Sequence, residues 1–234
     1  MNGLSYELKK ELLRLGADIV GYGNLEELPV DVREGLPVGV SIAVAYPPPV
    51  ISGIAELPTQ EYREWYDRLN ERLDMLVSCG ADFLRANGYK AVAKTRDYVG
   101  SGENSDNTTL PHKTVATRAG IGWIGKSALL VTGKYGSAVR ISSILTDAPL
   151  DTALPNNKSM CGDCMACKDA CPGLAVSGKS WEVGLYRDEF FDPVKCRKTA
   201  RERAKQGFNG DITICGKCIE VCPFTRKYLK EAIL

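Results

Sequence analysis

Eight cysteines lie between positions 161 and 222, and only one, Cys79, lies outside that interval. Their spacing is the strongest chemical signal in the chain. The first run reads Cys161-x-x-Cys164-x-x-Cys167-x-x-x-Cys171-Pro172, and the second reads Cys215-x-x-Cys218-x-x-x-Cys222-Pro223, with Cys196 alone between them. A four-iron cubane needs four thiolates converging on its corners. A short loop with two-residue gaps supplies three of them, and the cysteine before proline crosses to the neighbouring cluster. On that logic one [4Fe–4S] cluster takes Cys161, Cys164, Cys167 and Cys222. The second takes Cys171, Cys196, Cys215 and Cys218, because the second run has only one Cys-x-x-Cys before its Cys-Pro and Cys196 must complete the set. Paired Cys-x-x-Cys also suits structural zinc, which is the competing reading. Cys79, in a helical stretch, reads as an ordinary buried thiol.

A second constellation is Gly120-Ile121-Gly122-Trp123-Ile124-Gly125-Lys126-Ser127. It spells both the dinucleotide pattern G-x-G-x-x-G and the P-loop pattern G-x-x-x-x-G-K-[ST]. Both need a strand before the loop and a helix after it, since the phosphate sits on the following helix N-terminus. Here residues 114–119 read as a helix end and 128–131 as a strand, so the order is reversed. The expectation is a tight helix-to-strand loop whose backbone approaches a ligand closely, with Trp123 offering a flat apolar face beside it.

The 234 residues suffice for one or two domains with a buried core. Apolar residues make up 44% and charged residues 25% of the chain, and the formal net charge is +1. That balance excludes a strong bulk field for nucleic acid or anionic membranes. Each oxidised cluster with its four thiolates adds roughly −2, which leaves the loaded chain slightly negative. The stretch Lys195, Arg197, Lys198, Arg201, Arg203, Lys205 beside Cys196 is a local exception. It reads as an offset to cluster charge, a solvated face, or a docking patch for a redox partner or an anionic substrate. No signal peptide and no apolar run of about 20 residues is visible, so the expected location is the cytoplasm, away from membranes. Thiols are kept reduced there, which favours metal ligation over disulfides.

The elements that must position these residues change character near 149–157, a polar, proline-containing stretch. The expected organisation is α+β, with an N-terminal α/β domain over 1–150 and a ferredoxin-like double-cluster domain over 151–234. Leu4, Leu8, Leu12 and Leu15 recur at helical spacing, with Gly16 as the stop. Strands are expected at 17–22, 38–46, 89–93, 128–131 and 138–145. A long helix is expected over 59–87, broken or bent at Gly80.

Ala119 to Lys126, Asp192-Pro193-Val194-Lys195-Cys196 and Ile219-Glu220-Val221-Cys222-Pro223-Phe224 together resemble the epoxyqueuosine reductase family. The resemblance is strong over 110–226 and looser before it, and extends more distantly to the corrinoid reductive dehalogenases. It implies a cobamide (cobalamin) held by the N-terminal domain beside the nearer cluster, against Gly120, Gly122, Trp123, Gly125 and Lys126. Electrons would pass through the two clusters to cobalt, whose Co(I) form reduces a substrate. The family's proton-donating aspartate falls on Asp106, thirteen residues before Ala119. Its Asp-x-x-Pro-x-x-Glu pattern becomes Asp106-Asn107-Thr108-Thr109-Leu110-Pro111-His112 here, with the proline displaced and His112 in place of the glutamate. Both Asp106 and His112 are therefore catalytic candidates, and an imidazole that titrates near neutrality suits proton donation.

The resemblance implies a reductase fed by a low-potential donor, a ferredoxin or a flavodoxin. A tRNA substrate stays open but is not favoured, because the chain stops at Leu234 and its loaded charge is slightly negative. The alternative function is an electron-transfer or reductive activator protein for a corrinoid partner, without substrate chemistry of its own. An ATP-driven function rests on the P-loop spelling alone.

Overall fold

The computed structural model describes residues 3–99 and 108–232, which form a mixed α/β architecture. In chain order the elements are α1 (Gly3–Arg14), β1 (Ile19–Asn24), β2 (Val38–Ala45), α2 (Pro48–Ser52), α3 (Gln60–Ala86), β3 (Ala91–Ala93), α4 (Arg96–Val99), α5 (His112–Arg118), β4 (Trp123–Ile124), β5 (Leu130–Val131), β6 (Val139–Thr146), α6 (Ala166–Asp169), α7 (Pro193–Phe208), α8 (Lys217–Glu220) and α9 (Pro223–Glu231). These residues group into two compact units that interleave along the chain. The first draws on 1–44, 69–122 and 140–156, and the second on 45–68, 123–139 and 157–234. All eight clustered cysteines belong to the second. No helix among the described residues is long and apolar enough to cross a membrane.

The first unit is built on a four-stranded sheet of order β1-β2-β6-β3, with β1 antiparallel to β2 and β3 antiparallel to β6. Its strands are rich in β-branched residues, and Val40, Ile42, Val44 and Ile144 are fully buried. On α1 the helical repeat buries Leu8 and Leu12 completely, and Tyr22 of β1 donates from its hydroxyl to the Ser5 carbonyl at 2.7 Å. Helix α5 lies directly on β1. A Cβ at Gly21 would stand 2.8 Å from the Ala119 oxygen, and one at Gly23 would stand 2.6 Å from the Ala119 nitrogen. That approach fixes where α5 ends and hence where the glycine loop begins.

Helix α3 runs unbroken through Gly80, against the expected bend. The glycine is there for packing: a Cβ at 80 would meet Ile144 Cδ1 at 2.7 Å. The saving of space against β6 outweighs the helix-propensity cost of about 1 kcal/mol. The strand expected over 128–131 is shorter, because Ala128 adopts φ 58° in the turn that closes a β4–β5 hairpin. Helix α7 lies in a stretch with only a weak apolar period and buries only Ala200 and Ala204.

In the second unit Ile124, Ala128, Trp181 and Phe190 form a small core beside the hairpin. Helix α9 is tied in by Tyr228, whose hydroxyl donates to the Tyr46 carbonyl at 2.8 Å and whose ring meets Tyr135 edge-on at 5.0 Å. The Ser137 amide donates to Thr225 Oγ1 at 3.0 Å. These contacts set the position of Cys222, the residue immediately before α9.

Candidate functional site

Three short helices and one longer one present the thiols. Cys167 lies in α6, Cys218 in α8 and Cys196 in the first turn of α7; Cys222 caps α9. Helix α7 starts where it does because Asp192 accepts a hydrogen bond from the Lys195 amide at 2.9 Å and Pro193 occupies the first turn. This arrangement satisfies the helix end and fixes φ without wasting a donor. The helix stops at Asn209, which takes the left-handed conformation. All nine cysteines are free thiols.

The thiols gather in two neighbouring groups. Burial pushes the Cys167 thiol up to about 11, and Cys161, Cys164 and Cys222 add to the rise. Burial pushes Cys196 up to about 11 as well, with Cys171 and Cys215 contributing. Cys218 is raised further, by burial first and then by Cys196, Cys215, Cys167 and Cys171, so it stands where the two groups meet. Crowded buried thiols resist ionisation because each new thiolate faces its neighbours in a poorly solvating medium. A cationic iron–sulfur core supplies the missing counter-charge, so the donor set suits such a group. The geometry suits it too. Cys161, Cys164, Cys167, Cys218 and Cys222 surround a cavity of about 120 Å³ instead of meeting at a point. Among the described residues no three His, Cys, Asp or Glu side chains converge as a single-ion site.

The glycine loop runs from α5 into β4 and the hairpin turn, so its order is helix then strand, the reverse of a phosphate cradle. Gly120, at φ +66°, ends α5, and a Cβ there would stand 2.9 Å from the Leu154 oxygen. The Gly122 carbonyl accepts from Asn156 Nδ2 at 2.9 Å. Trp123 is 3% exposed and meets Phe224 edge-on at 4.9 Å, and its Nε1 has no acceptor among the described residues. Gly125 and Lys126 line the thiol cavity. A Cβ at Gly125 would stand 2.8 Å from Val131 Cγ2 and 3.5 Å from Cys161 Sγ. Lys126 is 3% exposed, and its Nζ donates to the Gly162 carbonyl at 2.8 Å with Met165 Sδ at 3.8 Å. The close approach expected for a macrocycle is thus made by the first cysteine loop. Gly125 and Lys126 are engaged by the first cysteine loop, while Gly120 is exposed and Ile121 half-buried.

Of the two proton-donor candidates, Asp106 lies outside the described residues. His112 opens α5, with Nδ1 2.9 Å from Ser143 Oγ on β6. Burial, then the cations Arg140 and Lys94, push its pKa down to about 4, with Asp74 acting weakly the other way. The expected neutral-range titration is therefore corrected: His112 is a neutral imidazole at pH 7. Around it, Lys94 is buried and pairs with Glu34, Arg140 Nε donates to Asn70 Oδ1 at 3.0 Å, and Arg96 pairs with Asp74 at 2.7 Å. The sequence reading missed this charged cluster, since its members are scattered over 34–143 and only the fold assembles them.

A family model described as a 4Fe-4S double cluster binding domain matches residues 160–225. The epoxyqueuosine reductase of Bacillus subtilis (strain 168) is 30% identical over 196 residues, covering 80% of this chain and 47% of that protein. That of Synechococcus sp. (strain CC9605) is 34% identical over 128 residues, 54% of this chain and 39% of that protein. The chain therefore spans less than half the length of these curated relatives. Among solved structures, a catabolic reductive dehalogenase with a bound brominated hydroxybenzoic acid shares the fold at a TM-score of 0.72 and 18% identity, covering 97% of this chain and 33% of that one. An epoxyqueuosine reductase bound to an epoxyqueuosine-modified tRNA stem loop matches at a TM-score of 0.58 and 22% identity, covering 95% of this chain and 66% of that one.

Proposed function

We propose that this chain is an iron–sulfur oxidoreductase that moves electrons one at a time through two [4Fe–4S] clusters towards a reducing centre. The observation that carries the reading is the gathering of eight thiols into two adjoining groups of four around short helices. Cys161, Cys164, Cys167 and Cys222 hold one cluster, and Cys171, Cys196, Cys215 and Cys218 hold the other. Gly125 lets the hairpin close on Cys161, and Lys126 pins the Gly162 carbonyl so that the first loop keeps its curvature. Oxygen-labile clusters and nine free thiols call for a reducing compartment, the cytoplasm. The division of labour is a cluster segment over 151–234 and a substrate-facing segment over 1–150.

The finer reading is a cobamide-dependent reductase. Its support is the likeness to epoxyqueuosine reductases and to a reductive dehalogenase whose structure is described as suggesting a mechanism for B12-dependent dehalogenation. A bound cobamide would supply low-valent cobalt as the group that reduces the substrate. Of the glycine loop, the exposed Gly120 and its neighbours Ile121 and Gly122 would meet the macrocycle, while Gly125 and Lys126 serve the first cysteine loop. A solved epoxyqueuosine reductase is described with its catalytic aspartate loop swung out of the active site, which supports Asp106 as the proton donor over the neutral His112. Net charge of +1 before cluster loading argues for a substrate other than tRNA.

The engagement of Gly125 and Lys126 by the first cysteine loop favours a second reading, an electron-transfer or activator protein that serves a corrinoid partner. One experiment separates them: absorption spectra of anaerobically purified protein titrated with cobalamin. A saturable change in the corrinoid bands, preserved in Asp106→Ala, supports the reductase. No spectral change at saturating cobalamin, with the cluster bands intact, selects the carrier.

A further inference from the structure

Beside the group that holds Cys171 and Cys196, two large aliphatic side chains stand in solvent. Leu174 follows Cys171-Pro172-Gly173 and is 79% exposed; Val194 precedes Cys196 by two residues and is 70% exposed. The two segments lie side by side. The Asp192 amide donates to the Ala175 carbonyl at 2.8 Å, and a Cβ on Gly173 would meet Thr199 Cβ at 2.9 Å and the Lys195 oxygen at 3.2 Å. The Ala175 amide donates to Cys171 Sγ at 3.3 Å. Leu174 takes φ 49°, a conformation that asparagine or glycine adopts more cheaply. A large aliphatic side chain is thus carried into solvent at a strained position, beside a thiol group.

From Val194 the exposed face of α7 continues through Lys198, Arg201 and Lys205, at successive spacings of four, three and four, which is one helical stripe. Helix α7 carries six basic residues and a single acid, Glu202. Among the described residues, Lys198, Arg201 and Lys205 have no ion-pair partner, whereas Lys195 pairs with Asp192 at 3.3 Å. Apolar side chains at the centre and charge at the rim are the anatomy of a protein–protein contact. A stripe of unpaired cations steers an acidic partner to it.

We infer that Leu174, Val194 and the Lys198–Arg201–Lys205 stripe form the docking surface for an acidic one-electron carrier protein, which loads the cluster on Cys171, Cys196, Cys215 and Cys218. This rests on the two-cluster reading above. In the step, one electron leaves the reduced carrier, which is oxidised by one unit, and enters that cluster. No bond forms or breaks and no proton moves. Electron transfer falls steeply with distance, and the stripe begins on the same helical turn as Cys196. An RNA backbone is the competing partner for a basic stripe, but single-stranded RNA is held by aromatic stacking as well as charge. This stripe has no aromatic residue and an aliphatic centre.

The test follows cluster bleaching by stopped-flow absorbance, with a reduced acidic ferredoxin as donor and, in parallel, reduced methyl viologen, which needs no docking. The Lys198→Glu/Arg201→Glu double variant should lower the ferredoxin rate at least tenfold at low salt and flatten its salt dependence, with the viologen rate undiminished. Leu174→Asn, which suits the backbone and removes the apolar contact, should raise the ferredoxin concentration needed for half-maximal rate, with the salt dependence unchanged. Unchanged ferredoxin rates in both variants, with normal viologen bleaching, overturn the docking surface. So does a labelled RNA stem loop whose binding the double variant abolishes while ferredoxin rates stay normal. Failure of viologen to bleach the wild type overturns the two-cluster reading and the docking surface with it.

Discussion

The group of Cys161, Cys164, Cys167 and Cys222 is walled by the glycine loop, with Gly125, Lys126, Ser127 and Phe224 lining its cavity. The group of Cys171, Cys196, Cys215 and Cys218 is flanked by Leu174 and Val194 in solvent and by the basic face of α7. Two sets of four thiols with nearly the same loop chemistry therefore have different neighbours, the glycine loop on one side and the basic face of α7 on the other. A symmetric pair of sites would have no direction. The proposed docking surface gives this pair one, with entry beside α7 and exit beside the glycine loop.

The largest expected effect breaks the comparison at its root. Cys196→Ser should remove one cluster and leave the other, taking iron from about eight to about four per chain. Cys222→Ala should remove the other cluster, the one on Cys161, Cys164 and Cys167, although Cys222 is nearer in sequence to Cys218. Paramagnetic resonance of the reduced variants reads which signal goes; the same signal lost in both would refute the crossed sets.

Removing the cation of the glycine-loop side tests the difference in environment. Lys126 sits at the cavity edge, and a nearby positive charge favours the more negative, reduced cluster. Lys126→Met should lower the midpoint potential of the Cys161-group cluster and leave the other in place. Potentiometric titration followed by paramagnetic resonance separates the two.

His112 probes the first unit. Its folded pKa of about 4 lies below the free value of 6.5. Above pH 6.5 both folded and unfolded states hold a neutral ring and nothing is lost. As pH falls from 6.5 towards 4 the unfolded chain takes the proton first, and the fold loses up to roughly 3 kcal/mol from this residue. His112→Gln should flatten that part of the stability curve, read by denaturant melts at pH 7 and pH 4.5. An equal slope in both proteins would contradict the burial argument.

The smallest effect is at the start of α7. Asp192→Ala removes the side-chain cap and should cost about 1 kcal/mol, seen as a lowered melting temperature together with faster loss of the Cys196-group cluster alone.

What was legible in the sequence follows the same division. The thiol groups were readable because ligand spacing is imposed by the cluster, within a few residues. The Val- and Ile-rich runs of β2 and β6 were readable because strands buried on both faces are apolar throughout, and the Leu repeat of α1 because one buried face imposes a period. Helix α7 was not read from periodicity, since it buries only two alanines; its signals were Asp192-Pro193 at one end and Asn209 at the other. Gly80 misled because propensity was weighed without the side chain it faces, Ile144. The structural partner of Lys126 was not legible either. The P-loop spelling is local, while that partner, the Gly162 carbonyl, is 36 residues away. The cluster around His112 joins residues from four separate stretches, and no local pattern announces it.

The most direct test of the account is the iron, acid-labile sulfide and zinc content of anaerobically reconstituted protein. Two cubanes on eight thiols predict about eight iron and about eight sulfide per chain. About two zinc per chain with no sulfide would contradict it.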